Sequence, residues 1–479
     1  MVPVFSVLGL GACVLMVFRA SDGIRENVRH SLAGISWPLP FEMETGYIAV
    51  DDLEEVNLFY YFVKSDRNPA EDPLMLWITG GPGCTGLSGL AYEIGKVLSW
   101  PPRFDIENYE EGRMPRLVHR EESWTRVSSV VFVDSPVGVG FSYSTAAEEN
   151  EWSDTSATRR LHAFIRKWLV DHPEFISNPF YVCGDSYGGK MAPLVTQAII
   201  NGNEAGVKPL INLKGYSAGN PVTTEKRFDD GTKIPYSHGM GLISDELYEE
   251  TKESCGGDYV NPRNTKCIEC LDAVYKNWER LEIQFTLGVY CDLKSPKPKQ
   301  SAAEDRYLID LERNHLYSPQ IINKECRVTL LCLNINFLAI KSWVDNDAVR
   351  EALGVRKGSI GEWNRCQKYI KANYGFDVPS SVPYHLNVTS KGFRSLVYSG
   401  DHDLEINFMG TQAWIRSFNF SIVDDWRPWL VNGQVAGYTR AYANNLTFAT
   451  VKGAGHVVTE YKRKETWAMF ERWIAGQAL

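Results

Sequence analysis

The sequence lacks a basic excess, a long apolar run beyond its first residues, and a complete set of metal-ligating cysteines. Its 59 acidic residues outnumber its 50 basic residues, for a formal charge of -9, whereas nucleic acids and anionic membranes bind clustered basic side chains. No run after residue 18 is long enough to cross a bilayer. Cys267 and Cys270 form a C-x-x-C pair without a second half at ligand spacing. These absences predict no nucleic-acid partner, no membrane span, and no metal or other cofactor.

The N-terminal segment has the pattern of a secretory signal. Residues 2–18 are apolar and uncharged, and the small residues Ala20 and Ser21 follow, which predicts a cleaved signal peptide over residues 1–21. The chain would then enter the oxidising secretory pathway, with an extracellular or vacuolar destination, where its cysteines can form disulfides. On that route three sequons are candidate glycosylation sites, at Asn387, Asn419 and Asn445.

The apolar pattern predicts an α/β fold. At 479 residues with 44% hydrophobic content, the chain can bury a large core. Strand-like runs alternate with helical ones, which is typical of a mostly parallel sheet covered by helices. The clearest strands are residues 58–63, 74–78, 129–133 and 180–183, and the clearest helices are residues 155–170, 190–200 and 466–475.

The most informative motif is the pentapeptide 184–188, Gly-Asp-Ser-Tyr-Gly, which directly follows the apolar run 180–183. A strand that ends in G-x-S-x-G is typical of a nucleophile elbow, in which the serine lies on a strained turn and the glycines avoid clashes with neighbouring backbone. Because such a pentapeptide arises by chance in roughly one chain of this length in five or six, the interpretation depends on its context.

The context supplies partners for Ser186. A serine nucleophile needs a base to take its proton and a carboxylate to orient that base, in the order Ser, Asp, His in the hydrolase fold. A loop with Asp401 and Asp403 follows the apolar run 396–398, and a glycine-rich loop with His456 follows the run 448–451. For His456 the alternative is an ordinary surface histidine, and the ordered partners argue against it.

Five ordered blocks resemble the serine carboxypeptidases and their plant carboxypeptidase-like relatives over nearly the whole mature chain. The blocks are residues 77–84, 134–143, 184–188, 400–403 and 453–456. The resemblance implies an α/β-hydrolase fold that acts through an acyl-enzyme on Ser186, with Asp403 rather than Asp401 as the acid and His456 as the base.

Between about residues 223 and 344 the pattern changes. Cysteines cluster, periodicity weakens, and residues 295–300 form a polar, proline-rich stretch. We interpret residues 223–344 as an insertion that caps the site. The hydrolase core would then have a first part over residues 22–222 and a second part over residues 345–479.

The oxyanion hole can also be placed. Acyl transfer builds negative charge on a carbonyl oxygen, which preorganised N–H groups stabilise. The residue after the nucleophile, Tyr187, supplies one donor, and the resemblance places the second at Gly81, for which an ordinary tight turn is the alternative.

Cys183 is expected to be a buried strand residue rather than a reactive thiol. The resemblance further suggests three disulfides, Cys84–Cys366, Cys255–Cys267 and Cys291–Cys326.

The resemblance places the substrate-binding groups at Trp77, Thr79, Gly80, Glu93 and Asp185. In the peptidases, position 79 is usually Asn and position 185 is usually Glu. A Thr hydroxyl donates one hydrogen bond where an Asn amide donates two, so a peptide's terminal carboxylate would be held less well. Thr79 and Asp185 instead resemble the plant branch that uses 1-O-β-glucose esters as acyl donors, as do the segments 421–429 and 433–440.

The sequence therefore predicts an enzyme that transfers an acyl group from a small-molecule glucose ester to an alcohol acceptor. A carboxypeptidase acting on peptide C-termini is the alternative, and a non-catalytic binding relative is a more distant one. The hypothesis of a non-catalytic relative rests on departures from the family pattern. Thr459, Arg463 and Asn407 stand where the family often has Pro, and residues 96–103 and 327–340 match the family poorly.

Overall fold

The structure, a computed structural model, describes residues 41–95, 121–145, 151–288, 290 and 340–479. Several predicted features lie outside these residues: the signal peptide, the segments 96–103 and 295–300, all but the last residue of 327–340, and the Cys291–Cys326 pair. Among the described residues no helix has the length and apolar character to span a bilayer.

The strands form a mixed sheet with a parallel centre. They are β1 Met43–Ala49, β2 Val56–Val63, β3 Leu74–Ile78, β4 Ser129–Val133, β5 Tyr143–Ser144, β6 Phe180–Asp185, β7 Leu213–Gly219, β8 Arg394–Gly400, β9 Ile422–Val431, β10 Gln434–Tyr442 and β11 Leu446–Val451. Their order is β1-β2-β4-β3-β6-β7-β8-β11-β10-β9, with β5 beside β2. Pairing is parallel from β4 to β11 and antiparallel towards both edges, which confirms the predicted mostly parallel centre.

Helices cover both faces of this sheet. They are α1 Gly86–Ser88, α2 Asp154–Asp171, α3 Tyr187–Glu204, α4 Lys226–Asp229, α5 Lys233–Gly239, α6 Asp245–Cys255, α7 Thr265–Trp278, α8 Asp347–Ala352, α9 Lys368–Ala372, α10 Val382–Ser390, α11 Phe408–Ser417, α12 Val458–Tyr461 and α13 Arg463–Ile474. A π-helical turn, Gly89–Glu93, follows α1, and 3-10 turns span Trp124–Arg126 and Pro173–Phe175. The predicted strands and helices are all present, with ends shifted by up to four residues.

Strand β3 shows how the core is built. Leu76 packs in one apolar cluster with Phe164 of α2, while the next residue, Trp77, packs in a second cluster with Trp124 and Phe470. Because successive side chains of a strand point to opposite faces, both faces of β3 are buried, and its sequence is apolar throughout. The buried centre of the sheet is therefore rigid, and it supports the carboxyl ends of β3, β6, β7, β8 and β11.

The described part of the proposed insertion is helical. Helices α4 to α7 follow β7 without an intervening strand, and Ile234, Ile243, Leu271 and Val274 form a small apolar cluster of their own. A disulfide joins Cys255 at the end of α6 to Cys267 in α7. This local core is consistent with the predicted insertion, whose boundaries remain a prediction.

Candidate active site

The G-x-S-x-G motif forms the sharp turn between β6 and α3. Ser186 has φ 53° and ψ -119°, a left-handed conformation that costs energy for a residue with a side chain. Its N–H donates to the Gly219 carbonyl at 2.8 Å. A Cβ at Gly188 would lie 1.9 Å from the carbonyl oxygen of Ile78, so glycine is required where α3 starts beside β3. This sterically enforced turn holds the serine at the carboxyl edge of the sheet.

The structure brings Ser186, His456 and Asp403 together. The Oγ of Ser186 lies 2.7 Å from Nε2 of His456, and Nδ1 of His456 lies 2.7 Å from Oδ2 of Asp403. Asp403 follows β8, and His456 follows β11, which pairs with β8 in parallel. The neighbouring Asp401 instead bonds Nδ1 of His402 at 2.6 Å. Of the two aspartates, Asp403 is therefore the one that contacts His456, and its role as the acid stays a prediction.

The Asp403 carboxylate is held by donors besides His456. The Asn220 amide donates to Oδ2 at 2.7 Å, and the N–H groups of Glu405 and Ile406 donate to Oδ1 at 2.8 and 3.2 Å. No sequence motif singled out Asn220. Its signal was present, because Asn220 directly follows the apolar end of β7 as a polar residue at a strand's carboxyl end.

The charges around His456 make it a stronger base. Burial by itself lowers the pKa of His456, but the carboxylates of Asp403, Glu405 and Asp185 outweigh burial and raise that pKa above its usual value. The carboxylate at Nδ1 orients the ring so that Nε2 faces Ser186. The ring is therefore placed to take the serine proton.

The predicted oxyanion donors lie on two segments beside Ser186. Tyr187 is the first residue of α3, and the Gly80–Gly81 loop approaches so closely that a Cβ at Gly80 would lie 2.7 Å from the Cβ of Ser186. Neither the N–H of Gly81 nor that of Tyr187 donates a hydrogen bond within the residues that the structure describes. Both groups are thus available to a ligand oxygen.

Two contacts anchor the Gly81 loop. The Cys84–Cys366 disulfide forms as predicted, and it is flanked by backbone bonds from Thr85 N–H to the Arg365 carbonyl at 2.9 Å and from Gln367 N–H to the Gly83 carbonyl at 2.8 Å. The loop is therefore fixed to the second part of the chain.

The buried side chain of Asp134 holds the residues that come directly after the Gly81 loop. Asp134 accepts hydrogen bonds from the Thr85 hydroxyl and, at 2.8 Å, from the Gly86 N–H. Its burial raises its pKa to about 6. Asp134 is the first residue of the 134–143 block, one of the five blocks that resemble the serine carboxypeptidases. Its hydrogen bonds give this residue of the block a structural role.

Acidic side chains are buried next to the triad. Trp77 donates from Nε1 to Glu93 at 2.7 Å. Burial, Asp185 and Glu460 raise the pKa of Glu93 well above its usual value, and burial, with a contribution from Glu460, raises that of Asp185 to about 6. Sequence reasoning missed Glu460, which lies in the α12 turn against the Gly89–Glu93 turn. One of these carboxyl groups is expected to hold a proton at mildly acidic pH.

Two polar atoms of the predicted substrate set have no hydrogen-bond partner in the described part of the chain. Thr79 Oγ1 and Asp185 Oδ1 are buried and make no hydrogen bond to any residue the structure describes. Thr79 follows β3, Asp185 ends β6, and the two strands are neighbours in the sheet. A buried polar atom without a partner is costly, so a bound ligand is one way to satisfy both.

A buried ion pair supports the first turn of α3. Lys190 Nζ lies 2.9 Å from Asp154 Oδ2, and both side chains have 0% exposure. The Tyr187 hydroxyl also donates to Asp154, and Lys190 donates to the Val378 carbonyl at 2.9 Å. This cluster could not be found from the sequence, because its members are separated along the chain and match no motif.

The remaining predictions concern cysteines, sequons and metals. Cys183 is a buried free thiol in β6, as predicted. Cys270 is also free and buried. The three sequon asparagines are exposed, and their glycosylation stays a prediction. Within the described ranges no group of three or more His, Cys, Asp or Glu side chains could hold a metal ion.

Known proteins resemble this chain over nearly its full length. Serine carboxypeptidase-like 2 of Arabidopsis thaliana is 47% identical over 450 residues, which cover 94% of this chain and 92% of that protein. Serine carboxypeptidase-like 7 of the same plant is 47% identical over 467 residues, which cover 97% of each. The chain is thus similar to plant proteins of the type that the sequence blocks indicated.

The fold is shared with a solved enzyme structure. Kex1Δp, a prohormone-processing carboxypeptidase from Saccharomyces cerevisiae, matches with a TM-score of 0.68 at 17% identity over 95% of each chain. This likeness confirms the predicted α/β-hydrolase fold. The family profile described as serine carboxypeptidase matches residues 34–476, and with the full-length plant relatives it shows that this chain belongs to the serine carboxypeptidase family.

Proposed function

We propose that this protein transfers acyl groups through a covalent intermediate on Ser186. The observation that carries the proposal is the continuous hydrogen-bonded series from Ser186 Oγ through His456 to Asp403, with both steps at 2.7 Å. Ser186 Oγ attacks the ester carbonyl while His456 Nε2 takes its proton. The N–H groups of Gly81 and Tyr187 then stabilise the negative oxygen.

The first half of the reaction ends when the leaving group departs, and the second half then runs the same steps in reverse with the acceptor. His456 gives its proton to the departing oxygen of the donor, which leaves the acyl group on Ser186. An acceptor hydroxyl then loses its proton to Nε2 and attacks the acyl carbon, so that Ser186 is released with its proton restored. Whether water or an alcohol resolves the acyl-enzyme decides between hydrolysis and transfer.

We further propose that the donor is a 1-O-β-glucose ester and the acceptor an alcohol. The unpartnered Thr79 Oγ1 and Asp185 Oδ1 suit sugar hydroxyls, which both donate and accept hydrogen bonds. A glucose leaving group carries no charge, so one short Thr donor suffices where a terminal carboxylate needs more. The set Trp77, Thr79, Gly80, Glu93 and Asp185 would hold the sugar.

The second candidate is a carboxypeptidase that releases C-terminal residues from peptides. The raised pKa values of Glu93 and Asp185 favour a shared proton, which one carboxyl group could donate to a peptide's terminal carboxylate. The family relationship is compatible with either reaction.

For the location, we propose the secretory pathway, extracellular or vacuolar, since the two disulfides fit an oxidising compartment.

The deciding experiment compares the two substrate classes on purified protein. One set of reactions contains a hydroxycinnamoyl or benzoyl β-glucose ester with candidate alcohols, and the other contains a blocked dipeptide. We expect kcat/KM for acyl transfer to exceed that for peptide hydrolysis, and we expect Ser186→Ala to abolish both. Release of the dipeptide's C-terminal residue without turnover of any glucose ester would refute the transferase.

Thr79→Asn provides a matched test of specificity. The added amide donor should improve binding of a terminal carboxylate by about one to two powers of ten and move the balance towards peptide hydrolysis. An unchanged ratio of the two kcat/KM values would contradict the proposed role of Thr79.

A further inference from the structure

A short segment of the insertion lies across the loop that carries Asp403. Residues 283–286, which we call the strap, follow α7 in the sequence. The carbonyl of Ile283 accepts the N–H of Leu404 at 2.9 Å and that of Glu405 at 3.1 Å. The strap is therefore bonded to the two residues that directly follow the acid.

The next carbonyl of the strap holds the base. Gln284 C=O accepts the backbone N–H of His456 at 2.7 Å. A Cβ at Gly455 would lie 2.4 Å from this carbonyl oxygen, so the glycine before the base permits the contact. Two successive peptide groups of the strap thus fix the acid loop and the base loop relative to each other.

The Gln284 side chain adds a contact on the same side. Its Nε2 donates to the carboxylate of Glu405, whose negative charge acts on the His456 ring. The charged groups that face His456 are Asp403, Glu405 and Asp185. Gln284 therefore holds in place one of the carboxylates that set the basicity of the ring.

Further contacts hold the strap in place. The Phe285 ring lies 4.2 Å from that of Tyr461 between centroids, and Thr286 N–H donates to the His402 carbonyl at 2.9 Å. By contrast, the Ile283 side chain is 38% exposed. The strap is thus held largely by its bonds to the catalytic loops rather than by deep burial.

From these contacts we propose that the strap positions the triad. The backbone carbonyls of the strap hold the acid and base loops, and the Gln284 side chain is a positioning group that acts on His456 through Glu405. The insertion then contributes to catalysis as well as covering the site. This inference rests on the proposed role of Ser186. Removing the strap contacts should lower the rate of the chemical step without weakening substrate binding, because no strap residue belongs to the proposed substrate set.

The test measures Ser186 reactivity directly, with a fluorophosphonate probe. In this reaction the serine oxygen bonds to phosphorus, fluoride leaves, and His456 takes the serine proton, so the rate reports on triad alignment without a known substrate. We expect Gln284→Ala and Phe285→Ala to slow labelling at least about fivefold, since small misplacements of catalytic groups are costly. Leu287→Ala, next to the strap and 61% exposed, is the matched control and should label at the wild-type rate.

Two further measurements separate positioning from a general loss of structure. Removing a negative charge lowers the pKa of a nearby imidazole, so Glu405→Gln should shift the acid limb of the labelling profile to lower pH. In the Glu405→Gln protein, Gln284→Ala should slow labelling by a smaller factor than it does in the wild-type protein. Melting temperatures of the Gln284 and Leu287 variants should agree, because the Gln284 side chain is exposed.

Several outcomes would overturn the inference. Wild-type labelling of both strap variants at every pH would do so, as would fully additive effects of Gln284→Ala and Glu405→Gln. A rise in KM with unchanged labelling would assign the strap to substrate binding instead. If the wild-type protein itself is not labelled at Ser186, the proposed nucleophile fails rather than the strap.

Discussion

The Asn220 amide donates a 2.7 Å hydrogen bond to Oδ2 of Asp403, the oxygen that also contacts the imidazole of His456. Asn220 is itself fixed, because its Oδ1 accepts the N–H of Gly400 at 3.1 Å. The end of β7 therefore orients the acid that follows β8. A carboxylate that accepts this many hydrogen bonds keeps its direction.

Asn220→Asp should lower kcat by about ten- to a hundredfold with little change in KM. The variant has nearly the same shape and tolerates the positive φ of 37° at this position. It replaces the amide donor by a second carboxylate, so Asp403 loses one of its hydrogen bonds and faces a like charge. Steady-state kinetics on the preferred substrate measures the effect. Asn277→Asp, on the exposed face of α7, is the control, and equal kinetics for the two variants would contradict this role.

Asp403→Asn should lower kcat by several powers of ten, whereas Asp401→Asn should change it far less. The amide at position 403 would stabilise the wrong tautomer of His456, while Asp401 contacts His402 instead. Comparison of the two variants by kinetics and by fluorophosphonate labelling separates the two aspartates. A larger loss for Asp401→Asn would show that the acid is misassigned.

Substrate binding should weaken as pH rises from mildly acidic to neutral. Because the pKa of Asp185 is raised to about 6 and that of Glu93 also lies above its usual value, the pair holds a proton at low pH and loses it as pH rises through these values. The lost proton is a lost donor to the substrate, so KM should increase. Glu93→Gln should flatten this dependence, while the exposed control Glu269→Gln should keep it.

Lys190→Met should destabilise the fold by about 3–5 kcal/mol, because it leaves Asp154 buried without its cation. The exposed pair of Lys391 and Glu204, at 2.6 Å, is the comparison, and Lys391→Met should cost less than about 1 kcal/mol. Denaturant unfolding of both variants measures the free energies. Similar losses for the two would mean that burial of the ion pair is unimportant.

Local sequence pattern predicted the strands well, because the continuous apolar run of β3 is typical of a strand buried on both faces. The glycines around Ser186 located the sharp turn, because local backbone geometry sets where glycine is required. The loops that carry Asp403 and His456 could be placed because each follows a strand at the carboxyl edge of the sheet, whereas the choice of Asp403 over Asp401 came from the family resemblance. The contact of Gln284 with the His456 N–H could not be predicted, since it depends on a backbone carbonyl that any residue type supplies. The Lys190–Asp154 pair was missed because the burial of a lysine cannot be read from its type.

The bond between Cys84 and Cys366 closes a covalent loop with a sequence separation of 282. Such a loop removes conformations from the unfolded chain, and chain-entropy arithmetic puts the effect at about 5–6 kcal/mol. The benefit arises in the denatured ensemble, where the segment around the Gly81 turn stays tethered to the second part of the core. Refolding of the oxidised chain therefore begins with two distant segments of the active site already held as neighbours.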